Sequence, residues 1–137
     1  MTIDAMNALS KGTLMEQLGI IYTEFGSDYI CGTMPVDHRT VQPAGLLHGG
    51  ALVALAESLG SMGSVALLNN PKAIVGIEIN ANHLRKTTSG TVHGCASLLV
   101  RSRRLHVWEI KIHNDSEQMV CLSRLTIMVL PNEEKSQ

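Results

Sequence analysis

The stretch "VQPAGLLHGGALVALAESLGSMGS", Val41 to Ser64, decides how the chain is read. It opens on a proline and glycines, runs into apolar and small residues, and carries one carboxylate, Glu57. No other formal charge lies between Arg39 and Lys72. Apolar residues at 52, 55, 56, 59, 62 and 66 recur at helical spacing, which predicts a helix from Gly49 to Leu68. Its length and lack of charge would also suit a membrane span. Glu57, the glycines and Ser58, Ser61 and Ser64 make a poor lipid-facing helix, so no span is expected. A helix that is apolar or small almost all round belongs inside a folded domain.

Working outward, residues 2 to 18 read as one or two short helices. Thr13 and Glu16 stand at capping-box spacing, and Gly19 can stop the second helix. Apolar and β-branched residues from Ile20 to Pro35 flank the turn signal in "FGSDY", giving a hairpin. After the helix, strands are expected at about 73–81, 90–100, 105–113 and 118–130. The order is two strands, one long helix and four strands, an α+β plan in which an antiparallel sheet wraps a single helix. One helix covers one sheet face and leaves long edges bare, so pairing with a second copy is expected. The 137 residues suit one domain, and 131–137 read as a flexible tail.

Composition narrows the function classes. Twelve acidic residues oppose 11 basic ones, and there are one Phe, one Trp and two Tyr. No global field or stacking platform for nucleic acid follows from that. Cys31, Cys95 and Cys121 are odd in number and widely spaced, and read as reduced thiols filling core positions. No CxxC, HxxxH or HExxH pattern calls for a metal. The N-terminus lacks an apolar signal region, so the cytoplasm is the expected location.

At 100° per residue Glu57 opposes the stripe of Leu55, Ala56 and Leu59 and shares its side with Ser61 and Ser64. A solvated face is the commoner fate of a lone glutamate. Solvated faces usually carry several charges, however, and this one carries one, so Glu57 is a candidate for chemistry. Ser61, four residues on, could hold a water beside it. In "LLHGG", a histidine and two glycines at a helix start leave backbone N–H groups open to a ligand and could receive a developing oxyanion. Taken alone, that motif is more often a tight helix entry.

"QPAGLLHGGALVALAESLGS" followed by "VGIEINANHLR", with "GTMPVDHRT" before them, resembles the hotdog-fold acyl-CoA thioesterases of the PaaI type. The likeness runs from about Leu18 to Leu130, and is strongest to the 1,4-dihydroxy-2-naphthoyl-CoA hydrolases and the enterobactin-pathway proofreading thioesterases. The resemblance implies a hotdog fold and hydrolysis of an aromatic or medium-chain acyl-CoA without a cofactor. Glu57 would be nucleophile or general base, and Gly49 would donate its N–H to the thioester oxygen. Gln42 would bond near the carbonyl, His48 would organise the loop and leaving sulfur, and Ser61 would place the water. The Gln-His-Gly loop and the Glu-Ser helix would come from opposite subunits of a homodimer, with a dimer of dimers as the further expectation. Coenzyme A would meet Gly76, His83, Leu84, Arg85, Lys86, Val100, Arg101, Ser102, Arg103, Arg104 and Leu105. The five cations in that set read as one cluster suited to phosphates, although a solvated basic turn is the commoner fate of any one arginine.

Departures bear on the acyl group rather than the chemistry. Ala44 stands where relatives often carry Phe, Ser102 where glycine is common, and Leu105 where a polar residue is common. A non-catalytic acyl-CoA-binding module and a hotdog dehydratase are the rival readings. The first would not need the full set of Gln42, His48, Gly49, Glu57 and Ser61. The second is disfavoured by a loop in which Gly49 and Gly50 suit carbonyl activation.

Overall fold

The computed structural model describes residues 1–131, so all of the expected tail except Pro131 lies outside the described residues. Two short helices, α1 (Ile3–Leu9) and α2 (Leu14–Leu18), precede the hairpin of β1 (Ile21–Phe25) and β2 (Tyr29–Pro35). A 20-residue helix, α3 (Gly49–Leu68), leads to β3 (Ile74–His83), β4 (Thr91–Arg101), β5 (Leu105–His113) and β6 (Met119–Val129). The six strands form one antiparallel sheet in the order β1-β2-β4-β5-β6-β3, wrapped around α3 as expected. The connection through α3 carries the chain from the β1–β2 side of the sheet to its far edge, where β3 has only β6 beside it.

Alternation selects the buried face. In β5 it turns His106, Trp108, Ile110 and Ile112 inward, and in β2 it turns Ile30, Gly32 and Met34 inward. Leu55, Ala56 and Leu59 of α3 are fully buried against this face, and each leucine contributes about 1.5–3 kcal/mol by leaving water. The helix sits close to the sheet because its contact face is small. A Cβ on Gly63 would stand 2.6 Å from the Trp108 ring. α3 has the length and hydropathy of a membrane span, and it is instead the core helix of the fold.

Three details differ from the sequence reading. Cys31 and Cys95 are not core thiols: parity turns both outward, they face each other across β2 and β4 with Cα atoms 4.1 Å apart, and a disulfide joins them. Cys121 is the buried free thiol, its pKa raised by burial. Thr13 makes no side-chain cap on α2, and Glu16 instead receives the Gly12 N–H, although Gly19 ends the helix at φ +71° as expected. Ser64 does not join Glu57. Its hydroxyl accepts the Trp108 indole N–H at 2.9 Å and pairs with His106 Nδ1 at 2.8 Å.

Candidate active site

The entry to α3 is held by a loop whose hydrogen bonds converge on Thr40. Its hydroxyl donates to the Pro35 carbonyl at 2.7 Å and accepts the Asp37 N–H at 3.1 Å, and its carbonyl accepts the His48 N–H at 2.8 Å. Arg39 closes on Asp37 at 2.7 Å, which with its backbone N–H holds that exposed carboxyl down at about 2. Leu47 N–H reaches the Thr87 carbonyl at 2.8 Å, tying the loop to the segment after β3. His48 is the N-cap of α3, and its Nδ1 accepts the Gly50 N–H at 2.7 Å. One of the two glycine donors is therefore spent on the cap. The Gly49 N–H has no acceptor among the described residues, so it is the donor left open.

Gln42, Gly49, His83, Leu84, Arg85 and Lys86 share a cavity of about 410 Å³. The Gln42 side-chain oxygen accepts the Ala44 N–H, which leaves its amide nitrogen as a donor. His83 lies directly beneath the helix entry, where a Cβ on Gly49 would stand 2.9 Å from its Nε2. Only glycine lets helix and strand meet there without displacing the imidazole.

Glu57 lies two turns further along α3 and faces a different cavity, of about 510 Å³. Its carboxylate stands over Gly76 of β3, where a Cβ would be 3.0 Å from Oε1. Gly76, expected as a coenzyme A contact, thus belongs to the seat of the carboxylate. Glu57 is half-buried and has no hydrogen-bond or ion-pair partner among the described residues. Ser61 lines the same cavity, and its hydroxyl is likewise unpartnered. Ser58, by contrast, donates to the Ala54 carbonyl at 2.6 Å. The remaining wall is apolar and includes Leu9, Leu14 and Met15 of the N-terminal helices, which the sequence reading did not connect with the site.

Within one chain these two sets do not converge. Eight residues of helix put Gly49 and Glu57 about 12 Å apart along the axis. A carbonyl under attack needs donor and nucleophile each at about 3 Å. The cations divide in the same way. Arg85 and Lys86 follow the end of β3 where Leu84 N–H meets the Val120 carbonyl. Arg101, Arg103 and Arg104 occupy the β4–β5 turn, closed by Ser102 on Leu105, and the Arg104 carbonyl accepts the Val129 N–H. Those ends of β6 are about 30 Å apart, so the five cations form two groups. Val100 and Leu105 flank the turn with their side chains exposed.

The thioesterase superfamily matches residues 44–121, the span that holds both cavities' helix and β3. A proofreading thioesterase, EntH, of Cronobacter sakazakii is 47% identical over 130 residues, covering 95% of each chain. The 1,4-dihydroxy-2-naphthoyl-CoA hydrolase of Escherichia coli K12 is 43% identical over 129 residues, covering 94% of this chain and 95% of its own. Among solved structures, a thioesterase of Haemophilus influenzae superposes with a TM-score of 0.92 at 42% identity, over 100% of this chain and 96% of that one.

Proposed function

Because this chain belongs to the thioesterase superfamily, has its hotdog fold and is a thioester hydrolase, we propose that it cleaves an aromatic or medium-chain acyl-CoA. The products are the free acid and coenzyme A. The observation that carries this reading is the Glu57 carboxylate, half-buried and unpartnered over Gly76 beside an apolar cavity. Glu57 acts as nucleophile or as general base on a water held by Ser61. Gly49 N–H and the Gln42 amide receive the oxyanion, and His48 fixes the loop that presents them. The water oxygen ends on the carbonyl carbon, the carbon–sulfur bond breaks, and a proton passes to the departing thiolate. Water and side chains suffice for that balance.

The site is completed by a second copy. β3 is a ten-residue edge with Val75 and Ile77 exposed, open to antiparallel pairing with its own copy. Glu57 sits over Gly76 near one end of β3, and Gly49 over His83 at the other. A two-fold axis near the middle of the strand sets each chain's Gly76 end beside its partner's His83 end. Glu57 of one subunit then faces Gly49 of the other, and the two cationic groups approach across the same axis to bind the nucleotide of coenzyme A through Arg85, Lys86, Arg101, Arg103 and Arg104. A dimer of dimers belongs to the same reading.

Glu57→Gln tests it. The variant is expected to lose about a thousandfold in kcat on every acyl-CoA the enzyme hydrolyses, with unchanged elution volume and circular dichroism. Near-normal turnover would contradict the assignment. A screen of aryl-CoA, fatty acyl-CoA and acyl-carrier-protein thioesters identifies the acyl class. A preference for naphthoyl or benzoyl thioesters would favour the aromatic arm.

A further inference from the structure

We infer that the two N-terminal helices form the acyl-selecting wall of the site, with Leu9 and Leu14 as specificity-determining residues for an apolar acyl group. This rests on the reading of Glu57 as the reacting carboxylate. The cavity beside Glu57, about 510 Å³, falls within the size range of small-molecule sites. It follows α3 from Glu57 past Ser61 to Val65, two turns or about 12 Å. Leu9 and Leu14 line its opposite side with 46% and 61% of their surface exposed.

Their exposure is not fraying, because the segment is anchored by a buried side chain and by backbone hydrogen bonds. Met6 is fully buried, and the Asn7 side chain bonds the Tyr22 backbone in both directions, accepting its N–H and donating to its carbonyl, each at 2.9 Å. Ile20 N–H returns to the Met15 carbonyl at 2.9 Å beside the left-handed Gly19, which fixes where α2 ends. Two large apolar side chains are thus held at the mouth of an apolar cavity that has a carboxylate at one end. A carboxylate with a mostly apolar wall beyond it, interrupted by Tyr22, Ser58 and Ser61, selects a substrate with a polar reacting carbon and an apolar tail. Each methylene such a tail buries is worth roughly fourfold in affinity.

The test compares wild type with Leu9→Gln/Leu14→Gln on butanoyl-, octanoyl- and benzoyl-CoA. Both positions are exposed, so the fold tolerates the change. The expected result is a loss of about tenfold in kcat/KM for octanoyl-CoA and under twofold for butanoyl-CoA. A second measurement needs no turnover. Amide exchange over residues 3–18 should slow when a decyl ketone analogue of coenzyme A binds, and stay unchanged with coenzyme A alone. An unaltered chain-length profile, or equal exchange with both ligands, would overturn the inference while Glu57→Gln could remain inactive. An active Glu57→Gln would instead overturn the site assignment, and the exchange result would still report on the wall.

Discussion

The two ends of the candidate site are built in different ways. The Gly49 end is made by hydrogen bonds: Thr40, Thr87 and the His48 cap fix a loop, and what remains open is one N–H. The Glu57 end is made by packing: a helix settles on Trp108 and Gly76, and what remains open is one carboxylate. The first end offers a donor and the second an acceptor, and about 12 Å of helix keeps them apart. An acyl transfer site needs both at one carbonyl. In the reaction proposed above, a second subunit bridges that separation.

Removing the open donor should produce the largest effect on the loop side. Gly49 is the first residue of α3, where proline is tolerated because that N–H has no helical partner, and His48 already has the extended backbone that suits a residue before proline. Gly49→Pro is expected to keep the fold with His83 shifting aside for the new Cβ, and to lose 10²- to 10³-fold in kcat relative to Gly49→Ala, which carries the same Cβ but retains the N–H, as loss of an oxyanion donor does. A kcat within a few-fold of wild type would remove Gly49 from the mechanism. On the packing side, Gly76→Val pushes side-chain atoms into the space of Glu57 Oε1. About a hundredfold loss in kcat with little change in KM is expected, because displacing a reacting group by an ångström costs on that order. An equal rise in KM would show that Gly76 serves binding instead.

The smallest effect concerns the core, where His106 pairs with Ser64 of α3. Burial, with Arg101 adding to it, lowers the pKa of His106 from its ordinary value. The folded state therefore prefers the neutral imidazole and the unfolded state takes up the proton more readily. Stability from this group is present above about pH 6.5 and declines as pH falls toward the folded-state value. Thermal melts of wild type should show a falling Tm on acidification through that window, and His106→Gln should flatten the fall. A parallel pH dependence in both proteins would contradict the assignment.

Much of this was legible in the sequence because it depends on periodicity. The bounds of α3, the order of the strands and the isolation of Glu57 follow from apolar spacing and from the absence of any neighbouring charge. Two placements were missed although alternation carries them: "LHVWEIKIH" puts His106 on the face of Trp108 and Ile110, and the same parity turns Cys31 outward in β2, where the sequence reading had it as a core thiol. What spacing along the chain does not encode is which strands meet. The Cys31–Cys95 bond needs β2 beside β4, and the division of the five cations needs the length of β6. Leu9 and Leu14 escaped notice because their function lies in a cavity formed by α3 and β3, far away in sequence.

Complementation between the two inactive variants tests the shared site most directly. Glu57→Gln and Gly49→Pro chains, co-expressed, give a mixed dimer in which one site has both lesions and the other has neither. With random pairing half the dimers are mixed and each has one intact site, so about a quarter of wild-type activity should return. A mixture as inactive as its parents would contradict the account, because it would mean that Glu57 and Gly49 act within one chain.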